Sequence, residues 1–363
     1  MTWYFAYQVQ LTSLGGLKGP LETPGLGPLD IFNISSTPSR LFPFRGISKS
    51  YNSLNRYTMS RENVEFQTAD HVTLRGWLFR PSMEPLETRL PCLVISHGFS
   101  ALKEMRLDAF AEYFTLNLPI SCLVYDNRGF GDSDTKEGQP RQEVLPSQQI
   151  SDISDAITYA QSRADVDPDR IGIWGSSYSG GHVLYVGAVD RRVKVVLSQV
   201  PFTDGWETLN RLLRSDAIDG VNKAFQEDRL ARAVGKPAAM MAVVDKDPLK
   251  PSALPTPDSY QFFSEWEAKS NWKNEVTLKS LEGARGYNPA AHIHHISPTP
   301  LLLTVAENDV VVPTDIALEA YSRAREPKKL QIFPGGHFDG YTGKGFERNV
   351  SAQADFLKEH LVG

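Results

Sequence analysis

The chain has 363 residues, of which 41% are hydrophobic and 22% are charged, and its net charge is −5. This composition is typical of a soluble globular protein. The mildly acidic balance offers neither the basic surface that binds nucleic acid nor a polybasic patch for membranes. No apolar run approaches the length of a membrane span. We therefore expect neither nucleic acid nor a membrane among the partners.

Residues 1–60 are rich in glycine and proline and show no sustained periodicity, which predicts an irregular N-terminal arm. The arm is interpreted either as a loose tail or as a segment that covers a pocket or a partner subunit. The two cysteines, Cys92 and Cys122, each lie in an apolar run and are expected to be reduced core thiols. The N-terminus lacks the positive region of a secretory signal, so a cytoplasmic location is expected.

From residue 61 onward the sequence becomes regular. Two alternating segments, "NVEFQTA" and "HVTLRGWLFRP", predict a pair of strands. Apolar strand-like runs then alternate with segments of helical spacing, in the order "LPCLVIS", "LKEMRLDAFAEYFTLN", "PISCLVYD", "SQQISDISDAITYAQSR", "RIGIWG", "YSGGHVLYVGAV" and "VKVVLSQVP". This alternation predicts a mostly parallel central sheet flanked by helices, built from residues 61–201 and 298–363.

The alternation stops at Pro201 and resumes with "TPLLLTVAEND", "TDIALEAYSRA", "KKLQIFPGG" and "NVSAQADFLKEHL". Residues 202–297 between them predict a helical insertion after the sixth strand, which we call the lid segment. It carries many aromatic residues, which either line an apolar substrate site or pack the core of the lid segment itself: Trp206, Phe225, Tyr260, Phe262, Phe263, Trp266 and Trp272.

The stretch "IWGSSYSGGHV" at 173–183 contains three candidate nucleophilic serines. A nucleophilic serine that follows a parallel strand sits on a sharp strand-to-helix turn, so the residues two before and two after it must be small. Ser176 has Trp174 and Tyr178 at those positions and is excluded. Ser177 and Ser179 both satisfy the requirement, but Ser177 directly follows the predicted strand. Ser177 is therefore the predicted nucleophile, and Ser179 remains the alternative.

A serine nucleophile needs a base to take its proton and a carboxylate to orient that base. His337 follows the strand "LQIFP", and Asp309 follows the strand "LLLTVA". The carboxyl ends of parallel strands face the crevice where ligands bind. His337 is therefore the predicted base and Asp309 the predicted acid, with Glu307 as the alternative acid.

The oxyanion of the reaction needs preorganised N–H donors. The backbone N–H of Tyr178, directly after the nucleophile, is one candidate. The second is the N–H of Phe99, which follows His97 and Gly98 in the loop after "LPCLVIS". His97 and Gly98, together with Gly175 before the serine, are predicted to support the site through tight turns.

Three further histidines, His292, His294 and His295, lie in "AAHIHHISP" without an acidic or cysteine cluster beside them. They lead directly into a predicted strand, so we interpret them as structural residues or as residues of the lid segment. No metal site and no organic cofactor is expected.

Several segments together resemble the α/β-hydrolase superfamily across about residues 62–361 and are similar to fungal hydrolases encoded in polyketide gene clusters, a group that includes the polyketide transferase of fumagillin biosynthesis. They are "HGFSALKEM", "YDNRGFGDSD", "PRQEVLPSQQISD", "VDPDRIGIWGSSYSGGHVL", "SQVPF" and "NPAAHIHHISPTPLLLTVAEND". The resemblance implies an α/β-hydrolase fold and a triad of Ser177, Asp309 and His337. It also implies structural roles for Asp126 and Arg128. Ser179 departs from the group, where glycine is commoner.

The resemblance further implies that the enzyme takes a polyketide acyl chain from a carrier protein's thioester and passes it to water or an alcohol. The expected function is a serine esterase or thioesterase that works through an acyl-enzyme on an apolar acyl chain. The alternatives are transfer to a specific alcohol, carbon–carbon bond hydrolysis, and a non-catalytic homologue that binds a ligand. A homodimer is compatible with each of these functions.

Overall fold

A computed structural model describes residues 57–82 and 89–363. The predicted N-terminal arm lies outside the described residues up to residue 56. The first strand begins at Thr58, within the last residues assigned to the arm. The strands are β1 (Thr58–Gln67), β2 (Thr73–Ser82), β3 (Leu90–Ser96), β4 (Ser121–Tyr125), β5 (Val166–Ser176), β6 (Val193–Gln199), β7 (Met240–Met241), β8 (Val276–Thr277), β9 (Leu301–Ala306) and β10 (Lys328–Phe333).

The helices follow the order that the sequence predicts. They are α1 (Leu107–Asn117), α2 (Pro146–Ser162), α3 (Tyr178–Val189), α4 (Gly205–Leu212), α5 (Ile218–Ala233), α6 (Pro257–Ser264), α7 (Leu278–Arg285), α8 (Thr314–Arg323) and α9 (Gly343–Leu357).

Two helices begin at a different residue from the one that the sequence predicts. α1 begins five residues later than its periodicity suggested, because Arg106 adopts a left-handed conformation with φ 78° directly before it. α9 begins at Gly343, six residues before the first residue of its apolar pattern.

Eight strands form one sheet in the order β1-β2-β4-β3-β5-β6-β9-β10. Within this described sheet, β2 runs antiparallel to both of its neighbours, and the other adjacent pairs are parallel. The fold prediction is thus confirmed: a mostly parallel central sheet flanked by helices. Parallel strands place their carboxyl ends at one edge of the sheet, so the loops after β3, β5, β9 and β10 meet there.

The central strands are buried on both faces, which explains why their sequences are continuous apolar runs. In β3, Leu93 and Ile95 join the hydrophobic cluster beneath α1 and α9, whereas Cys92 and Val94 join the cluster beneath α2, α3 and α8. This alternation is the two-residue period of a strand. Both cysteines are free and buried, as predicted.

The lid segment lies between β6 and β9 and contains α4 to α7 and the short β7–β8 ribbon. Its buried side chains Phe225, Phe263 and Leu281 belong to the same hydrophobic cluster as Leu93 of the sheet. The indole N–H of Trp272 also donates to the carbonyl of Ser100, 2.9 Å away, in the loop after β3. The insertion therefore packs directly over the carboxyl edge of the sheet. None of the helices in the described part of the chain is long and apolar enough to cross a membrane.

Candidate active site

Ser177 stands alone between the end of β5 and the start of α3, at a turn with φ 58° and ψ −117°. Few L-residues adopt such a backbone, and strained conformations of this kind concentrate at functional sites. The turn requires small neighbours. A Cβ on Gly175 would lie 2.1 Å from the carbonyl oxygen of Ser179, and one on Gly181 would lie 2.2 Å from that of Phe202. The sequence GSSYSGG therefore permits an elbow that larger residues would prevent.

The three serines of this stretch occupy different environments. Ser176 is buried, and its hydroxyl contacts the hydroxyl of Tyr341. Ser179 is also buried, and its hydroxyl has no hydrogen-bond partner among the described residues. Ser177 is partly exposed, and its Oγ lies 3.0 Å from Nε2 of His337. Of the three, Ser177 is the one that the structure places beside the histidine.

His337 lies in the loop after β10 and is buried together with Asp309, which lies in the loop after β9. Nδ1 of His337 is 2.7 Å from Oδ2 of Asp309. The other carboxylate oxygen accepts the backbone N–H groups of Val311 and Val312, each at 2.9 Å. Glu307, the alternative acid, is exposed to solvent. The structure therefore brings Asp309, and not Glu307, to the histidine.

These contacts assign the tautomer of the imidazole from the hydrogen-bond network. A carboxylate only accepts hydrogen bonds, so Nδ1 of His337 carries the proton and donates it to Asp309. Nε2 is then the unprotonated nitrogen, and the Ser177 hydroxyl donates to it. This is the arrangement in which the histidine can act as a base toward the serine.

Two backbone N–H groups lie near Ser177 and are free of protein acceptors. Within residues 57–82 and 89–363, neither the N–H of Phe99 nor that of Tyr178 donates a hydrogen bond. The N–H of Tyr178 opens helix α3, where the helix dipole favours negative charge. Gly98 brings the loop after β3 close to the nucleophile, since a Cβ there would lie 2.9 Å from Cβ of Ser177.

His97 fixes the orientation of this loop. Its Nε2 accepts the backbone N–H of Asn127 at 2.9 Å, so its Nδ1 carries the proton and donates to the carbonyl of Gly98 at 3.0 Å. Burial lowers the pKa of His97 and keeps the ring neutral in this arrangement. Because a trans peptide points its C=O and N–H in opposite directions, holding the Gly98 carbonyl also sets the direction of the Phe99 N–H.

Two small compartments meet at Ser177. The histidine-side compartment is bounded by His337 and by Met105, Phe262, Phe263, Phe338 and Tyr341. The tyrosine-side compartment is bounded by Tyr178, Phe202, Leu209, Leu212, Ala253 and Leu281. Among the described residues that line either one, no Asp, Glu, Lys or Arg occurs. The site is therefore suited to an apolar substrate.

The aromatic residues of the lid segment serve both purposes that the sequence left open. Phe262 and Phe263 line the histidine-side compartment, where Phe262 stacks on Phe338 with ring centroids 4.5 Å apart. Trp272 is buried and packs on Phe263. Trp206 is largely exposed.

A buried polar network beneath the nucleophile was not predicted from the sequence. The side-chain oxygen of Gln199, at the end of β6, accepts the amides of Asn349 and Gln353 of α9 at 2.6 and 2.8 Å. Asn349 also donates to the carbonyl of Gly340, close to Tyr341. Burial raises the pKa of Tyr341 to about 12, so its hydroxyl keeps its proton beside Ser176. Polar residues at buried helical positions of α9 are the sequence signal for this network.

The other residues singled out from the sequence lie in ion pairs or in a short helical segment. Lys103 donates to Asp126 at 2.6 Å, and Arg128 donates to Asp152 from Nε at 2.8 Å. The histidines at 292, 294 and 295 lie in a short 3₁₀-helical segment, Pro289–His295. In the part of the chain that the structure describes, no group of three or more His, Cys, Asp or Glu side chains is placed to hold a metal ion.

The sheet order and the serine elbow at the carboxyl edge of the sheet define an α/β-hydrolase. The chain is an enzyme of this class. More narrowly, it belongs to the family described as X-Pro dipeptidyl-peptidase (S15 family), whose sequence pattern matches residues 70–339.

Named relatives cover most of the chain. It is 35% identical over 308 residues to the quorum-quenching protein AidA of Acinetobacter baumannii (strain MDR-ZJ06), covering 84% of this chain and 97% of that protein. It is 32% identical over 304 residues to a thiohydrolase of Eupenicillium brefeldianum, covering 82% and 94%. It is 32% identical over 306 residues to the polyketide transferase grgF of Penicillium sp, covering 84% and 98%. The resemblance to fungal polyketide hydrolases is thus confirmed.

A solved structure agrees with the fold. The crystal structure of the α/β hydrolase GrgF from Penicillium sp. sh18 superposes with a TM-score of 0.71 and 30% sequence identity. The match covers 84% of this chain and 100% of that chain. Because the match spans the whole of that chain, the similarity extends beyond the central sheet.

Proposed function

We propose that the enzyme transfers an apolar acyl group from an ester or thioester to water or an alcohol through a covalent acyl-enzyme on Ser177. The observation that carries this proposal is the hydrogen-bonded chain from Ser177 through His337 to Asp309, at 3.0 and 2.7 Å, which opens between two uncharged compartments. A serine, a base and an orienting carboxylate in this order are the requirements of nucleophilic acyl transfer.

In the first half-reaction, Oγ of Ser177 attacks the carbonyl carbon while Nε2 of His337 takes the hydroxyl proton. The carbonyl π-electrons move onto oxygen and give a tetrahedral oxyanion. When this oxyanion collapses, the carbon–sulfur or carbon–oxygen bond to the leaving group breaks. The leaving thiol or alcohol takes the proton from His337, and the acyl group remains on Ser177.

The oxyanion would be stabilised by the N–H groups of Phe99 and Tyr178. Their lack of other acceptors in the described structure supports this role, because free, preorganised donors cost no rearrangement when the charge forms. The position of Tyr178 at the start of α3 adds the favourable field of the helix. His97 acts as a positioning residue through its bond to the Gly98 carbonyl.

In the second half-reaction, water or an alcohol gives its proton to His337 and attacks the acyl carbon. The new tetrahedral species releases Oγ of Ser177, which recovers its proton from His337. The net change converts a thioester and an alcohol into an ester and a thiol, or a thioester and water into an acid and a thiol.

The uncharged lining and the named relatives support a polyketide acyl chain, delivered as a thioester on a carrier protein. A thiohydrolase and a polyketide transferase are among the relatives at about 32% identity. The family is described by a dipeptidyl-peptidase, an activity that requires recognition of a free ammonium group. The compartments beside Ser177 offer no carboxylate for that group among their described lining residues. We therefore favour acyl transfer over peptide hydrolysis.

The test is to incubate the enzyme with the octanoyl thioester of N-acetylcysteamine, quench with acid and measure the intact protein mass. We expect thiol release by the wild type, together with a mass increase equal to one octanoyl group. Ser177→Ala should give neither. Thiol release by Ser177→Ala at the wild-type rate would contradict the proposal. A wild type that releases neither a thiol from thioesters nor an alcohol from esters would instead support the ligand-binding or the carbon–carbon hydrolase alternative.

A further inference from the structure

The two compartments at Ser177 differ in the catalytic group that they contact. The histidine-side compartment includes His337 but not Tyr178, and the tyrosine-side compartment includes Tyr178 but not His337. Phe99, Leu254 and Val311 border both compartments. Ser177 itself is the point where they join. The reacting carbon bound to Ser177 would therefore have one compartment on each side.

This asymmetry constrains the orientation of the substrate. The leaving group must receive its proton from Nε2 of His337, so it must depart on the side where the histidine lies. The oxyanion must point to the N–H groups of Phe99 and Tyr178. The remaining substituent of the tetrahedral carbon is the acyl chain, and the direction left to it is the tyrosine-side compartment.

The tyrosine-side compartment lies next to a much larger space. Leu209, Leu212, Ala253 and Leu281 line both this compartment and a cavity of about 640 Å³ inside the lid segment, which we call the lid cavity. The lining of the lid cavity is mostly apolar and also includes Arg214, Asp216, Lys250 and Arg285. A volume of this size is typical of pockets that hold a whole small-molecule ligand. The two compartments beside Ser177 are equally small, about 30 Å³ each. The histidine-side compartment is bordered by Phe262, which stacks on Phe338.

We propose that the acyl chain of the substrate passes between Leu209, Leu212, Ala253 and Leu281 into the lid cavity, and that the leaving thiol and the incoming acceptor occupy the histidine-side compartment. This inference rests on the proposed acyl-enzyme function and adds the orientation and class of the substrate. The substrate is a long-chain acyl thioester or ester, and the acceptor is water or a small alcohol.

The passage can be narrowed without touching the catalytic groups. Ala253→Phe places a ring in it, and Leu212→Trp, at a less buried position, provides a second obstruction with less risk to folding. Ala233→Phe is the matched control, because Ala233 is exposed at the end of α5 and lines none of the three spaces. Phe262→Ala enlarges the histidine-side compartment instead.

The measurement is kcat/KM for acetyl, octanoyl and dodecanoyl thioesters of N-acetylcysteamine, with and without benzyl alcohol as a bulky acceptor. Ala253→Phe and Leu212→Trp should each lower the dodecanoyl-to-acetyl ratio of kcat/KM at least about tenfold. A poor fit between an acyl chain and its pocket changes kcat/KM by this order of magnitude. Ala233→Phe should leave the ratio unchanged. Phe262→Ala should raise the fraction of acyl groups transferred to benzyl alcohol without lowering the chain-length ratio.

The orientation is overturned if Phe262→Ala changes the chain-length ratio while both passage variants match Ala233→Phe. It is also overturned if the passage variants change acceptor choice and not chain length. Failure of the underlying acyl-enzyme function gives a different result. In that case Ser177→Ala retains the wild-type rate on every thioester, or the wild type shows no activity on any of them.

Discussion

Nδ1 of His337 lies 2.7 Å from Oδ2 of Asp309, and both side chains are 2% exposed. The contact joins the loop after β10 to the loop after β9, across two neighbouring parallel strands. It holds the imidazole with its other nitrogen toward Ser177. The carboxylate is itself held by the backbone N–H groups of Val311 and Val312, so the position of the histidine depends on the backbone of the β9 loop.

Replacing Asp309 with asparagine should separate orientation from charge. The amide oxygen of Asp309→Asn can still accept from Val311 and Val312, so the thermal midpoint should change little. The side-chain nitrogen would donate to Nδ1 of His337 and favour the wrong tautomer. We expect kcat for thioester hydrolysis to fall by about a thousandfold to ten-thousandfold.

Glu307→Gln is the matched control for this substitution, because Glu307 lies two residues away and is exposed. Its kcat should equal that of the wild type. A large loss in Glu307→Gln with a small loss in Asp309→Asn would show that Glu307 is the acid and that the geometry described for Asp309 is not the working one.

The sharpness of the elbow makes Gly175 intolerant of a side chain. In Gly175→Ala the new Cβ would lie 2.1 Å from the carbonyl oxygen of Ser179, so the turn must shift. We expect the free energy of unfolding to fall by about 3 kcal/mol, as in other overpacked sites. Gly283→Ala is the contrasting variant, since Gly283 is exposed within α7 and the nearest atom to its new Cβ is 3.9 Å away. It should gain about 0.5–1 kcal/mol in a urea titration. Equal effects of the two alanines would contradict this account of the turn.

A buried histidine behind the nucleophile makes stability depend on pH. His182 accepts the hydroxyl of Tyr287 at Nδ1 and donates from Nε2 to Gln149, and burial lowers its pKa from 6.5 to about 3. Between these values the unfolded chain binds a proton that the folded protein does not, so stability is fully present above pH 6.5 and falls as the pH decreases toward 3. At pH 5 this group alone should reduce the free energy of unfolding by about 2 kcal/mol relative to pH 8.

The contribution of His182 can be isolated by comparing urea titrations of the wild type and His182→Gln at pH 8 and pH 5. Other titrating groups are shared by both proteins, so the difference between their pH slopes reports this position. The variant should lose less stability than the wild type on acidification, whatever its absolute stability. Identical slopes would contradict this account, because they would mean that His182 binds its proton over the same pH range in the folded protein as in the unfolded chain.

Much of the core was predictable because its residues are constrained locally. The continuous apolar runs of β3, β4 and β9 arise from burial on both faces, and helix α3 begins and ends where the sequence indicates. The start of α1 was not predictable, because the left-handed turn at Arg106 interrupts an otherwise helical pattern. The boundaries 202–297 assigned to the lid segment remain a prediction.

At the site, small-residue spacing excludes Ser176, and the end of the predicted strand favours Ser177 over Ser179 before any contact is known. Spacing alone leaves Asp309 and Glu307 equivalent in type, and only the path of the β9 loop separates a buried carboxylate from an exposed one. The lid cavity was likewise beyond prediction. It depends on how α4, α5 and α7 pack around a space, and the sequence pattern shows their apolar faces but not the gap between them.

The central claim, that Ser177 is the nucleophile, is tested most directly by a fluorophosphonate that labels activated serines, read by intact protein mass. Wild type and Ser179→Ala should each gain one label, and Ser177→Ala should gain none. Labelling that persists in Ser177→Ala but disappears in Ser179→Ala would contradict the account, and so would a wild type that takes up no label.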